Sequence, residues 1–564
     1  MNYKNLKILT VFLLSSFAAF LFGWNAILNG TNATMDESSM WAGYRVQPRH
    51  SLSDMREYDV LKYDISIKLE PGSKRIHNRV TVTLIPSRDL KNIEFDLSSD
   101  LQIESLTLND SPGDYTHAND LVRIGSALGR GDTSEVTVVY SGDPSGKRNF
   151  FFGRINGIEV VYTLNEPENA NDWLFCNDTP LDKALVNIAI SADTSLVSVS
   201  LGVLDSIATD YEKGHGTYYW RSSVPVSTYL ISFFSSRYAT GESVYKSDIS
   251  GKSLPLYIYG LPWQRSKFER ILTDHKDFLS VFEKYFGEYP FPDEKYAVAA
   301  FLWQFGAMEY PTVSGFGSRL IDDYPSQQNI FLHELAHHWF GNSVSPKSWG
   351  DIWLNEGFAT FCEWLYLEHL GEREKTDYLG RALISVKEPE YLKGSLQDPS
   401  DIFAARVYIK GAWVLRMLRN ELGDAKFFEG LRLYYNTFKY SNASTGDLIR
   451  AFEAASGRDL AKYFDQWVFS GEGVVILKAG KPEVEKKNGK FFTTVTIEQV
   501  QSEERVYELL IDINLRGSGI SKPAKVRMTE KTEVFQFELD FITETVELDP
   551  DNFLLFRMAN DKKN

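Results

Sequence analysis

Hydrophobic and polar residues alternate along the part of the chain that follows residue 50. The alternation is clear over 65–69 and again over 80–84, with a Pro71-Gly72 turn between the two stretches. A period of two places every second side chain on the same face of a strand, and Pro and Gly mark the turn. Residues 51–248 are therefore predicted to form an N-terminal β-rich domain.

The period of the pattern changes near residue 249. Residues 263–286 carry apolar side chains at helical spacing, and further helical stretches follow as far as residue 472. Short strands return over 473–564, where Asn488-Gly489 between β-branched and apolar residues is a hairpin signal. The predicted fold class is multidomain α+β, with a mainly α domain over 249–472 and a small C-terminal β-sandwich domain over 473–564.

The chain opens with a basic and then an apolar stretch. Lys4 and Lys7 precede an apolar run over 8–28. A basic start followed by about 20 apolar residues is typical of an anchor or an export segment. Residues 1–30 are predicted to be a membrane anchor or signal segment, and 31–50 a linker. Basic residues stay on the inner side, so the body of the protein is expected outside, periplasmic or extracellular. Cleavage of the segment would instead give a secreted protein.

Composition and charge narrow the classes of function. The 564 residues include 76 acidic and 60 basic side chains, which gives a formal net charge of −16. A chain without a basic surplus is not expected to bind nucleic acid, because phosphate contacts need Lys and Arg. The two cysteines, Cys176 and Cys362, are too few for a disulfide scaffold, and both are expected to be free and buried.

The strongest chemical signal is the sequence HELAH at 333–337. Helical residues four apart differ by only about 40° around the axis, so His333 and His337 point the same way and can occupy two corners of a zinc tetrahedron. Glu334 lies on the adjoining flank, where it can take a proton from a water on the metal. Ser326 is predicted to cap this helix, and Gly341 to end it.

A catalytic zinc ion needs a third protein ligand. Pro346 and the glycines around it break the first helix, and a second helix is predicted from about residue 355 to 370. Glu356 at its first turn is the best-placed candidate. His338 is the alternative nitrogen, but it lies about 100° further around the helix than His337 and is interpreted as a supporting or packing residue.

These motifs together resemble a known family. The string HELAHHWFGN is followed by WLNEGFA, with eighteen residues between His337 and Glu356, and this resembles the gluzincin aminopeptidases related to aminopeptidase N and leukotriene hydrolase. Three further segments are similar to that family in the same order: NEPENANDWLFCNDTPLDKA at 165–184, GAMEY at 306–310 and RVYIKGAWVLRML at 406–418. The resemblance implies a thermolysin-like catalytic domain with one zinc ion per chain.

The resemblance also implies a role for each remaining site residue. Glu309 and Glu166 would bind the α-ammonium of the substrate, because paired carboxylates suit a group with three charge-assisted donors. Tyr408 would donate its phenol to the oxyanion. The rest of the substrate-binding box is Gly306, Ala307 and Met308, whose first two residues would pair with an extended peptide.

The implied function is that of a zinc metallo-aminopeptidase, which hydrolyses the N-terminal peptide bond by means of a zinc-activated water. Peptides with a free N-terminus are the expected substrates, and the membrane is a partner through the N-terminal segment. The chain departs from the family pattern at Tyr310, which replaces an asparagine, and at Leu164, which replaces a glutamine. Both are expected to alter the wall of the substrate pocket.

Three other functions remain open at this point. An inactive zinc-binding member would be expected to lack Glu334, Tyr408 or a ligand, and all are present. A thermolysin-type endopeptidase shares the zinc helix but does not need two acids for an amine. Epoxide hydrolysis, as in the leukotriene branch, would need a long apolar channel.

Overall fold

The computed structural model describes residues 56–146, 149–212, 214–302, 306–371, 392–470, 473–501 and 505–559. The predicted anchor and linker, residues 1–50, lie outside the described residues. The chain divides into two compact units. The first unit runs to Trp349 and includes 435–444; the second comprises Gly350–Tyr434 and the chain from Thr445 onward. No helix in the described ranges is long and apolar enough to cross a membrane.

A large, mainly antiparallel sheet dominates the start of the first unit. It begins with the hairpin predicted from the alternation, whose two strands bury alternate side chains. Its strands, in spatial order, are Val203–Asp210, His215–Arg221, Lys183–Asp193, Tyr58–Glu70, Arg75–Pro86, Ser134–Gly142, Gln102–Leu108 and Ser111–Pro112, and Val226–Ser227 pairs with Lys183–Asp193. The β-rich prediction is confirmed.

Smaller sheets complete this region of the first unit. Three strands form one sheet in the order Leu90–Asp96, Leu121–Leu128 and Tyr115–Ala118. Four form another in the order Val197–Ser200, Phe233–Ser236, Ile158–Thr163 and Phe150–Ile155. Within the described residues, short turns of 3-10 helix lie at Pro144–Gly146, Ala170–Asp172, Thr228–Leu230, Pro262–Gln264 and Trp349–Asp351.

A mixed sheet and three helices complete the first unit. The sheet strands, in spatial order, are Ala239–Lys246, Ser253–Gly260, Tyr296–Phe301, Ser314–Gly317 and Ala307–Met308. The helices are α1 (Arg265–Phe286), α2 (Ser318–Asp322) and α3 (Gln328–Ala336). Helix α1 confirms the amphipathic helix predicted over 263–286. After α3 in the chain comes the short strand Val344–Pro346, which pairs in parallel with Ser441–Ala443.

The second unit begins with helices. They are α4 (Trp353–His369), α5 (Ala405–Leu422), α6 (Asp424–Phe438, whose last residues belong to the first unit), α7 (Thr445–Ser456) and α8 (Ala461–Phe464), followed by a π-helical turn at Asp465–Phe469. Helix α4 confirms the second helix predicted around residues 355–370.

Two glycines let α4 and α5 approach closely. A Cβ added to Gly411 would lie 2.8 Å from the Cα of Gly357, and a Cβ added to Gly357 would lie 2.9 Å from the Cα of Gly411. Real Cβ atoms do not come this close to backbone, so neither position tolerates a side chain without moving a helix. The crossing therefore fixes the distance between the two helices.

The variant Gly411→Ala is expected to lower the free energy of unfolding by about 1–3 kcal/mol, because the added methyl group meets backbone that cannot yield. Denaturant unfolding measures the change. Gly480→Ala is a matched control, since its Cβ meets only ordinary contacts at 3.5 Å and beyond. Equal stability of the two variants would contradict the tight crossing.

The second unit ends in two sheets. One contains Glu483–Lys487, Lys490–Gln499, Val475–Ala479 and Phe556–Met558, with Thr532–Leu539 paired to Lys490–Gln499; the other contains Ile520–Met528, Leu509–Gly517 and Thr545–Leu548. Asn488 and Gly489 both have positive φ, 50° and 81°, as the predicted two-residue hairpin requires. The multidomain α+β class is confirmed, and the boundaries at 248 and 472 stay predictions.

Candidate active site

The HELAH sequence lies at the end of a short helix of the first unit. Helix α3 begins after Gln327 and not after Ser326, so the predicted cap is wrong. The Ser326 hydroxyl instead donates to the carbonyl of Asp323, which closes the preceding turn. The regular helix ends at Ala336, and tighter turns continue from it to Gly341, which has φ of 136°.

The two histidines of the motif face the same side, as predicted. The ring centroids of His333 and His337 are 4.8 Å apart, and the rings are inclined by 78°. Nδ1 of His337 is 3.1 Å from the carbonyl oxygen of Phe340. Because a carbonyl only accepts, Nδ1 carries the proton and the lone pair lies on Nε2. A backbone partner of this kind orients a metal-ligating imidazole.

Glu334 lies close to the first predicted amine-binding acid. One ligand atom from each of Glu309, Glu334 and His337 falls within 4.8 Å of the others, and their exposed fractions are only 3%, 7% and 2%. Three buried groups of this kind could bind a cation or hold a substrate ammonium beside a base. All three residues of this cluster belong to the first unit.

His338 is not available as a metal ligand. Its Nδ1 is 2.8 Å from the hydroxyl of Tyr289, and its Nε2 is 3.2 Å from the hydroxyl of Ser314. Burial, and secondarily the neighbouring His337, lowers the pKa of His338 well below its usual value. The ring is a neutral, hydrogen-bonded core residue, which agrees with its interpretation as a supporting residue.

Glu309 follows the edge strand Ala307–Met308 of the mixed sheet. Ala307 pairs with Phe316 and Met308 with Gly315, both antiparallel. The carbonyl of Gly306 accepts from the amide of Gly317 at 2.8 Å. One lone pair of Gly306 is thus used inside the sheet, so any pairing of Gly306 with substrate relies on its other groups.

Asn342 ties the zinc helix to the Glu309 segment. Its amide donates to the carbonyl of His337 at 2.9 Å, and its side-chain Nδ2 donates to the carbonyl of Glu309. The Nζ of Lys183, from the large sheet, donates to the carbonyls of Asn342 and Ser343 at 2.9 and 3.0 Å. Sequence reasoning missed Asn342 and Lys183, because only the fold brings their partners together.

Lys183 gives a pH-dependent prediction. Burial lowers the pKa of Lys183 to about 7, whereas an unfolded lysine titrates near 10.4. Between these values the unfolded chain binds more protons, so this group makes stability rise with pH. The unfolding free energy of the wild type minus that of Lys183→Met is expected to increase from pH 7 to pH 9. Denaturant unfolding at each pH measures it, and a difference independent of pH would contradict the burial of this charge.

Glu166 and Tyr310 belong to two segments of the first unit that meet. The Tyr310 hydroxyl donates to the carbonyl of Thr163 at 3.0 Å and accepts from the amide of Asn165 at 3.3 Å. The Tyr310 side chain has no exposed surface. The expectation that it changes the pocket wall is therefore corrected: the phenol is directed at the backbone beside Glu166. Leu164 is half-buried in the same segment.

Glu356 and Tyr408 lie in the second unit. Glu356 is buried in the first turn of α4, as predicted, and Tyr408 is buried in the first turns of α5. The glycine crossing adjoins both, since Gly357 follows Glu356 and Gly411 is one turn after Tyr408. The start of α4 is further held by Trp353, whose Nε1 donates to the hydroxyl of Thr445.

The predicted donors, His333, His337 and Glu356, are of types that fit zinc. Two imidazoles and a carboxylate are the ligands of a catalytic zinc site that leaves one position open. The backbone partner of His337 supplies the outer hydrogen bond that such ligands have. The two cysteines are free and buried, as expected.

Comparisons with known families and proteins identify the family. The model described as "Peptidase family M1 domain" matches residues 271–467, and that described as "Peptidase M1 N-terminal domain" matches residues 60–230. Glutamyl aminopeptidase of Rattus norvegicus is 30% identical over 58% of this chain and 36% of its own length. Probable aminopeptidase 2 of Sulfurisphaera tokodaii is 27% identical over 64% of this chain and 47% of its own length. The chain thus spans half or less of the length of these curated relatives.

Solved structures give the same result. The M1 zinc metallopeptidase of Deinococcus radiodurans superposes with a TM-score of 0.65 at 26% identity, over 74% of this chain and 94% of that one. Aminopeptidase A of Legionella pneumophila shares the fold with a TM-score of 0.76 at 20% identity, over 90% of this chain and 60% of that one. The resemblance seen in the sequence is confirmed, and zinc is the cofactor. The chain belongs to peptidase family M1.

Proposed function

We propose that the chain is a zinc-dependent aminopeptidase that hydrolyses the N-terminal peptide bond of peptides. The observation that carries the proposal is the cluster of Glu309, Glu334 and His337 within 4.8 Å. In this cluster a carboxylate suited to an ammonium lies close to Glu334, the proposed general base of the zinc helix.

The cluster is the right size for an exopeptidase. In any amino acid the amine nitrogen and the carbonyl carbon are separated by two bonds of about 1.5 Å, and so by only about 2.5 Å. An enzyme that holds the ammonium with one carboxylate and attacks the adjacent carbonyl must place the anchor and the base a few ångströms apart. Glu309 and Glu334 meet this requirement.

His333, His337 and Glu356 are proposed as the zinc ligands. Their support is the shared face of the two imidazoles, the tautomer of His337 and the buried first-turn position of Glu356. When bound, zinc supplies Lewis-acid polarisation of the scissile carbonyl and lowers the pKa of water.

The side chains have the following proposed roles. Glu309 and Glu166 hold the substrate ammonium, so that only the first peptide bond reaches the reacting position. Glu334 accepts a proton from the attacking water and passes it to the leaving amine. Tyr408 donates its phenolic hydrogen to the oxyanion that develops at the scissile carbonyl.

Two structures of one relative support a site for single amino acids. Structures of a two-domain M1 zinc metallopeptidase mutant, 26% identical to this chain, contain L-tryptophan in one case and L-arginine in another. An amino acid with a free amine is the product of an aminopeptidase. The endopeptidase alternative gives no reason for a buried Glu309 beside Glu334, and nothing in the described residues favours the epoxide hydrolase.

Incubation of the full chain with a peptide of mixed sequence tests the proposal. The expected result is a ladder of products that lose one N-terminal residue at a time, detected by mass spectrometry. A chelator is expected to abolish the ladder, and added zinc to restore it. Internal fragments as the first products would replace the aminopeptidase with an endopeptidase, and no cleavage by zinc-loaded protein would favour an inactive member.

We also propose that the N-terminal segment holds the protein at a membrane, with the catalytic body outside, periplasmic or extracellular. The proposal rests on Lys4, Lys7 and the apolar run over 8–28. Fractionation of expressing cells tests it: protein of full length in the membrane fraction, accessible to external protease, is expected. Full-length protein in the soluble fraction would contradict it, and a shortened secreted form would indicate a cleaved signal.

A further inference from the structure

The Tyr310 phenol links the two segments that carry the acids proposed to bind the amine. Tyr310 directly follows Glu309 in the chain. Its hydroxyl donates to the carbonyl of Thr163 and accepts from the amide of Asn165, and these two residues lie just before Glu166. One hydroxyl group therefore joins the backbones beside Glu309 and Glu166, which are separated by more than 140 residues of sequence.

The segment that receives this phenol is held on several sides. The Asn165 side chain accepts from Nε1 of Trp173 at 3.0 Å and donates to the carbonyl of Ile231. The amide of Leu164 donates to the carbonyl of Asn149 at 2.8 Å. These bonds hold the Leu164–Asn165 backbone in a defined place, and the Tyr310 hydroxyl joins that backbone to the segment that carries Glu309.

The phenol is also close enough to both acids to respond to their charges. Burial is the main reason that the pKa of Tyr310 lies well above its usual value, and the carboxylates of Glu309 and Glu166 raise it further. The hydroxyl consequently stays protonated over the working pH range. It therefore remains a donor to Thr163 in that range.

We propose that Tyr310 is a positioning residue that sets the separation of the Glu166 and Glu309 carboxylates, and with it the register of the substrate's free amine. The inference rests on the proposed aminopeptidase function. An ammonium presents three donors in a fixed tetrahedral arrangement, so two carboxylates serve it together only at one separation. Removing the hydroxyl would loosen the separation while leaving both acids and the zinc helix unchanged.

The test compares Tyr310→Phe with the wild type in the full chain. KM for an aminoacyl 4-nitroanilide is expected to rise about tenfold, which corresponds to one charge-assisted hydrogen bond, with kcat changed by less than about threefold. The inhibition constant of an amino-acid hydroxamate should rise by the same factor, whereas that of its des-amino twin should not change. Dipeptide release should appear among the first products, because a loosely held amine allows a second register.

Tyr58→Phe is the control. Tyr58 is buried, and its hydroxyl donates to the carbonyl of Glu94, outside the two segments that carry Glu166 and Glu309. Removal of the control hydroxyl is expected to lower the melting temperature as Tyr310→Phe does. KM, the inhibition constants of the hydroxamate and its des-amino twin, and the length of the first products should not change. Equal kinetic effects of the two variants would reduce Tyr310 to a general stabilising role and overturn the proposal.

A second measurement serves if Tyr310→Phe does not fold. In the wild type, binding of the amino-acid hydroxamate is expected to slow amide hydrogen exchange in peptides covering 163–166 and 307–310 by similar factors. Protection of one segment alone would overturn the coupling.

The inhibition constants also separate the two proposals. If the wild type binds the hydroxamate and its des-amino twin equally well, the proposed function fails. If the wild type prefers the hydroxamate and Tyr310→Phe shows the same preference, only this inference fails.

Discussion

The variant Glu334→Gln is expected to lower kcat about a thousandfold while leaving the fold and the zinc content unchanged. A glutamine keeps the size of the side chain but cannot take a proton from water, and positioned acid–base catalysis contributes about 10²–10⁴ in rate. Single-turnover kinetics with an aminoacyl 4-nitroanilide measures the loss. KM is expected to change little, because Glu309 and Glu166, the proposed amine ligands, are unchanged.

Glu283→Gln is the control for this substitution. Glu283 is buried in α1 of the same unit, where it accepts from the hydroxyls of Tyr245 and Ser247 and from the amide of Tyr289. Its substitution is expected to lower stability with kcat within about twofold of the wild type. A Glu334→Gln variant with nearly full kcat would remove Glu334 from the proton transfer and with it the proposed mechanism.

The second large effect is expected for Tyr408→Phe, with a loss in kcat of about 10²–10³. Loss of one preorganised donor to a developing oxyanion typically costs this much. Since the phenol acts on charge that appears during the reaction, kcat and kcat/KM should fall together, with KM nearly unchanged. Steady-state kinetics on the same substrate measures kcat and KM separately.

Tyr463→Phe provides the comparison for Tyr408. The Tyr463 hydroxyl donates to the carbonyl of Val414 on α5, the helix that carries Tyr408. Its removal disturbs the same helix without removing the proposed oxyanion donor, and kcat should stay within about twofold. An equal loss in both variants would mean that the helix, and not the Tyr408 phenol, limits the reaction.

Much of the fold followed from periodicity alone. The alternation over 65–69 became buried positions of a long strand, and the helical spacing over 263–286 became α1. The shared face of His333 and His337 followed from helix geometry, because residues four apart are neighbours in any α-helix. These are local properties, which one stretch of sequence determines.

The supporting contacts of the site could not be predicted in this way. Lys183 reaches the carbonyl of Asn342 across 159 positions, and Tyr310 reaches the amide of Asn165 across 145. The pattern within one segment of sequence does not indicate a hydrogen-bond partner so far away along the chain. The cap at Ser326 failed for a local reason, because the Ser326 hydroxyl bonds back to Asp323 and so closes a turn instead of starting α3.

Glu309 is proposed to restrict cleavage to the first peptide bond, because it holds the substrate amine beside Glu334. The most direct measurement is the ratio of kcat/KM for a peptide with a free N-terminus to that for its N-acetylated twin, in the wild type and in Glu309→Gln. A large ratio in the wild type that falls about tenfold or more in the variant is predicted, because the neutral amide no longer pairs with the ammonium. A wild type that cleaves both twins equally, or a variant that keeps the full ratio, would contradict the account.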